Sequence, residues 1–160
     1  MNKLTLHSLI RLAVIILACC IPGIATAQAQ QQGQEQNPPP ETPPRKVMRE
    51  YQGVRLGMTD AEVRAAVGKP KSDGKDRDEY DLKDDGSLTI HYDNGKVKAI
   101  QLYFANAKNA PPWPEVIGDA EIVQNENGSK HARVVIPEER FWVAMFQNKD
   151  QSMTTITISQ

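Results

Sequence analysis

The chain has 160 residues, with 19 Lys plus Arg against 20 Asp plus Glu, for a formal net charge of −1. That length allows one domain or two very small ones, and the even charge supplies no basic footprint for nucleic acid. A hydrophobic content of 39% supports only a modest core.

The first 27 residues are excluded from that core. Met1 to Arg11 carries Lys3 and Arg11 and no acid, Leu12 to Ile21 is a continuous apolar run, and Pro22-Gly23 breaks it. Ala25-Thr26-Ala27 then places small residues at the −3 and −1 positions. This is the layout of a secretory signal peptide cut between Ala27 and Gln28. A membrane anchor helix is the competing reading, but a bilayer needs about 20 apolar residues. Both cysteines, Cys19 and Cys20, lie inside the segment, so cleavage leaves a mature chain without thiol or disulfide. Ile16-Leu17-Ala18-Cys19 resembles a bacterial lipobox, which makes Cys19 the lipidation candidate should export end in a membrane anchor.

Residues 28–46 read as a disordered linker. The segment is rich in Gln and then in Pro, and it has almost nothing to bury against the entropy of ordering. Its proline half favours polyproline II, a stiff spacer of about 3.1 Å per residue. A PxxP ligand over Pro40 to Pro43 is the alternative.

The folded domain is expected over residues 47–160. Thr59 is a good N-cap, and Glu62 three residues on completes a capping box. Met58 can staple against Val63, and Val63, Ala66 and Val67 form an apolar stripe at helical spacing. Gly68 and Pro70 end the helix. A weak strand is expected at Glu79 to Lys83. Ser87 to Tyr92 alternates, with Leu88, Ile90 and Tyr92 on one face. Asn94-Gly95 is the favoured type I′ hairpin pair. Lys96 to Phe104 returns with Ile100, Leu102 and Phe104 inward, and Val97 and Ala99 on the opposite parity predict a bulge or a two-sided strand.

Ala105 to Pro112 is a break. Trp113 to Ala120 parallels the first helix around its glycine, and strands are expected at Ala132 to Ile136, Phe141 to Gln147 and Met153 to Ser159. The pattern predicts an internal repeat, 53–104 and 113–159. The expected fold class is α+β: short helices packed on one face of an antiparallel sheet of about six strands, in two tandem helix-plus-three-strand units.

Reactive chemistry is sparse. His91 and His131 have no partner at metal or triad spacing, and HExxH, GxSxG, CxxC and phosphate-loop motifs are missing. His91 reads as an exposed strand residue. The acidic run Asp73 to Asp85 fails the calcium-loop pattern from both Asp76 and Asp81, and its interleaved lysines and arginine favour a solvated loop. No cofactor or metal is expected. Asn127-Gly128-Ser129 fits the glycosylation sequon but is first a turn signal. Phe141 to Phe146 is apolar at both parities. Either both faces of that strand are covered, or the free face carries Trp142 and Phe146 as anchors for a partner.

The run GVRLGMTDAEVRAAVGKP, followed by Tyr80, LTIHYDNGKVKAI and a final strand, resembles the SmpA/OmlA (BamE-like) domain family over residues 53–104. The matching positions are Gly57-Met58-Thr59, Val63, Gly68, Pro70, Leu88, Ile90, Asn94-Gly95, Val97 and Ile100. The wider fold group includes the β-lactamase inhibitor protein, and the doubled pattern is similar to its two tandem units. The resemblance implies the bacterial cell envelope and non-enzymatic protein binding, in support of an outer-membrane or periplasmic complex. The expected partner is another envelope protein, with membrane contact only if the chain is lipidated. Its surface is expected on the sheet face bearing Trp142 and Phe146, with His91, Gln101 and Tyr103. An inhibitor of a secreted enzyme is the alternative, and an enzyme with a carboxylate pair assembled only in three dimensions is a third.

Overall fold

A computed structural model describes residues 45–83 and 85–160. The expected signal peptide with its Ala27/Gln28 junction and Cys19, and the expected linker through residue 44, lie outside the described residues.

Near the start of the described residues Val47 is buried, and the Met48 amide donates to the Val116 carbonyl at 2.9 Å. Two short strands follow, β1 (Glu50–Tyr51) and β2 (Val54–Arg55), joined through Gln52-Gly53 at positive φ. Helix α1 (Asp60–Val67) starts at a complete capping box: the Thr59 hydroxyl accepts from the Glu62 amide, and the Glu62 carboxylate accepts from the Thr59 amide. Gly68 ends it at φ 88°.

Strand β3 (Ser72–Asp73) leads into β4 (Arg77–Asp81), β5 (Ser87–Asp93) and β6 (Lys96–Phe104). Asn94 and Gly95 both take positive φ, 51° and 73°, as a type I′ turn requires. The mixed parity of β6 is resolved by a bulge. His91 pairs with Ala99 but Tyr92 pairs with Val97, so Lys98 is the extra residue, and Val97 and Ile100 both turn inward. After a 3-10 turn come α2 (Trp113–Ile117), β7 (Val123–Gln124), β8 (Lys130–Ile136), β9 (Phe141–Gln147) and β10 (Thr154–Ser159).

Strands β3 to β10 form one antiparallel sheet in the order β3-β4-β5-β6-β10-β9-β8-β7. β10 returns to the centre and pairs with β6, setting Ile158 opposite Ile100 and Ile156 opposite Leu102. Leu88, Ile90, Ile100, Leu102, Ile156 and Ile158 are each 0% exposed, and burying each such side chain contributes about 1.5–3 kcal/mol.

This architecture corrects the expected fold class. Over the described residues the protein is mostly a continuous eight-stranded sheet with two short helices, not helices packed on a sheet of about six strands in two units. The reason is helix length and the narrowness of the helical stripe. Helix α1 buries only Val63, leaves Ala66 exposed, and ends after eight residues. Helix α2 has five residues between Pro112 and Gly118 and buries Val116 and Ile117. The two-residue strands β3 and β7 are too short to show an alternation, so the sheet is wider than the sequence pattern indicates. The weak strand expected at Glu79 to Lys83 also moves, to Arg77–Asp81.

Candidate functional site

Alternation assigns the sheet two faces. One buries the core. The other is half-buried or exposed, apart from Ser159 at its end, and the pairing register orders its residues into rows across the strands. One row runs Ser87, Tyr103, Thr155, Phe146, His131 from β5 to β8. The next runs Thr89, Gln101, Thr157, Ala144, Arg133. The third runs His91, Ala99, Ser159, Trp142, Val135.

All five expected surface residues fall on this face, but not as one cluster. Trp142 and Phe146 are four residues apart on β9, about 13 Å along the strand. Tyr103 lies two strand spacings from Phe146, and His91 three from Trp142, so about 10 Å and 14 Å. Gln101 sits between them in the middle row. Between the aromatic residues lie Ala144, Thr155 and Thr157, all small. The face is therefore a shallow area with aromatic residues at its corners and small polar groups at its centre.

Trp142 is partly covered by this chain itself: the Arg133 guanidinium lies 4.2 Å from its ring centroid. Such stacking contributes about 0.5–1 kcal/mol at an exposed site. Tyr103 is 37% exposed and Val135 53%, so apolar surface remains in contact with solvent on β6 and on β8.

A second feature is buried and was not visible in the sequence. Asp78 reads as one more acid in a charged run, yet it is 0% exposed and faces the core beside Tyr80. The Tyr92 hydroxyl donates to it at 3.0 Å, and Arg64 of α1 approaches both carboxylate oxygens at 3.4 Å. Burial, then the hydrogen bond to Asp78, pushes the Tyr92 phenol well above its ordinary value of 10.0. Burial raises Tyr80 as well, and the Asp78 charge adds to it. The Arg64 guanidinium is held charged by the same carboxylate. Among the described residues the buried Tyr80 hydroxyl meets no hydrogen-bond partner. The cluster ties α1 to β4 and β5. The signal for it was the two-residue parity that Asp78 shares with Tyr80, masked by the neighbouring charges.

Two adjoining clefts flank the end of β4. One, of about 400 Å³, is lined by Tyr51, Gln52, Leu82, Lys83 and Phe104; the other, of about 250 Å³, by Lys69, Lys71, Tyr80 and Leu88. Asp81 lines both and is paired with Lys71 at 2.8 Å. Neither lining sets a nucleophile beside a base. Among the described residues no group of three or more His, Cys, Asp or Glu is placed to hold a metal ion, and no helix is long and apolar enough to cross a membrane. At the sequon, the Asn127 side-chain oxygen accepts from the Ser129 amide and hydroxyl, closing a turn.

No family model, no curated protein and no solved structure matches this chain.

Proposed function

We propose that this chain is a non-catalytic protein-binding module of the bacterial cell envelope, and that the non-core face of its sheet receives the partner. The observation that carries the reading is the row structure of that face. It sets Tyr103, Phe146 and Trp142 around small central residues, at spacings suited to separate apolar anchors in one standard-sized interface. The signal-like segment at residues 1–27 and the likeness of residues 53–104 to the SmpA/OmlA domain support the compartment. Partner and chain would meet after export, with Gln101, Thr155 and Thr157 supplying hydrogen bonds and His91 the rim.

The test is crosslinked affinity capture from native envelope fractions, with wild type beside Trp142→Ala/Phe146→Ala. The reading expects one partner to be retained by wild type and lost by the double variant, while circular dichroism shows the variant folded. Equal capture by a folded double variant would remove the face from the binding site. The identity of the captured protein, an assembly component or a secreted hydrolase, separates a supporting role from an inhibitory one.

A further inference from the structure

The two edges of the sheet are finished differently. At one edge, β3 and its flanks cover β4. The Lys71 amide donates to the Glu79 carbonyl and the Gly74 amide to the Arg77 carbonyl, both at 2.8 Å, and the Lys71–Asp81 ion pair closes the next position. At the other edge, β7 covers only the beginning of β8, pairing Gln124 with Lys130 and Val123 with His131.

The turn fixes which way the β8 backbone points. The Asn125 amide donates to the Ser129 carbonyl at 2.9 Å, so the polar groups of Ser129 face β7. Backbone groups alternate along an antiparallel strand, so those of His131, Arg133 and Val135 face the same way. Val123 meets His131. Beyond it β7 has ended, and among the described residues no backbone hydrogen bond joins Arg133 or Val135 to the chain before β7. Among the described residues, two N–H and two C=O groups thus line a bare edge beside Val135, which is 53% exposed. Such edges are templates for strand addition.

We propose that the free edge of β8 over Ala132–Ile136 accepts an extended segment of a partner protein as an added strand, with an apolar residue beside Val135 and an acidic residue beside Arg133. The charge preference follows from β8 itself, whose sequence KHARVVI holds Lys130 and Arg133 and no acid. Stacking on Trp142 keeps Arg133 on the non-core face, in reach of the cross-strand neighbour. A second copy of this chain is the poorer occupant. Pro137 begins a 3-10 turn and β7 blocks His131, so a symmetric pairing would be limited to five residues. The β8 of a second copy would also bring Lys130 and Arg133, and no acid, against the same residues. The inference rests on the geometry and charge of this edge, independent of the reading of the sheet face.

The probe is a short capped peptide of alternating valine and threonine, with one glutamate two residues from its central valine. Controls are its lysine twin and a version methylated on alternate backbone nitrogens. Amide hydrogen exchange is followed by NMR on the isotope-labelled chain at up to about 1 mM peptide, a range suited to weak strand addition. The glutamate peptide should slow exchange at the Arg133 and Val135 amides at least about tenfold. The lysine twin should bind about threefold more weakly or worse, and Arg133→Glu should reverse that order. No protection at these two amides, equal binding by the methylated peptide, or protection that rises with protein concentration without peptide would each overturn the proposal. The last outcome would make a second copy the occupant.

Discussion

Replacing Trp142 by Ala, beside Ile156→Ala as a core reference, separates the two readings of the doubly apolar strand β9. Ile156 is 0% exposed at the centre of the sheet, between Leu102 and Met145. Its truncation removes three carbons, about 2.4 kcal/mol of transfer free energy at about 0.8 each. The cavity left behind brings the cost toward 4 kcal/mol, inside the range of about 2–5 for such changes. Trp142 is only half-buried. Its loss forfeits the Arg133 stack, about 0.5–1 kcal/mol, and up to about 1 kcal/mol of aromatic preference for a sheet surface. At about 4 °C per kcal/mol for a domain of this size, Ile156→Ala should lower Tm by about 10–16 °C and Trp142→Ala by about 2–8 °C. Thermal and urea unfolding read by far-ultraviolet circular dichroism measures both without relying on the deleted tryptophan. If Trp142→Ala costs as much as Ile156→Ala, or does not fold, the residue is core and the argument for a free face fails.

The buried Tyr92 supplies a pH test. Its folded-state pKa is raised above the ordinary 10.0, so its contribution is complete below that value and is lost as the unfolded chain begins to ionise above it. Stability should therefore fall above pH 10, by about 1.4 kcal/mol per pH unit for this group, and Tyr92→Phe should flatten the decline in a urea–pH series. Asp78→Ala strands the Tyr92 hydroxyl in the core and should cost about 2 kcal/mol, whereas Asp78→Asn, which keeps an acceptor, should cost less by the same urea assay. Gly118 has φ 63° and ψ −126°, and a Cβ there would stand 2.5 Å from the Lys46 carbonyl oxygen. Gly118→Ala should cost at least about 1–3 kcal/mol and should speed exchange at the Met48 amide, which is bonded to Val116.

What the sequence made legible was local. Thr59, Glu62 and Gly68 announce α1 because a capping box and a positive-φ glycine stop involve only nearby residues. Asn94-Gly95 announces its turn for the same reason. The opposite parities of Val97 and Ile100 were enough to raise a bulge. Long-range pairing left no such mark. Nothing in Thr154–Ser159 says that it returns to β6 rather than ending the sheet, and that one pairing, Ile158 against Ile100, makes eight strands one body. Helix packing was overread because Ala66 has helical spacing with Val63 but too little surface to matter. Asp78 was hidden because its burial depends on Arg64 and Tyr92, each 14 residues away in sequence. Along the candidate face, alternation showed that Trp142 and Phe146 share a side of β9, but only the register could show that Gln101 and Thr157 lie in the row between them.

The central claim, that the non-core sheet face meets another envelope protein, is tested most directly by a photo-crosslinking residue at Gln101, exposed in the middle row, expressed in native cells. The account predicts one dominant adduct that disappears when Thr157, its neighbour across β10, is changed to Arg. It is contradicted if Gln101 yields no adduct while the same probe at Lys69, outside this face, does, or if the adduct at Gln101 survives Thr157→Arg unchanged.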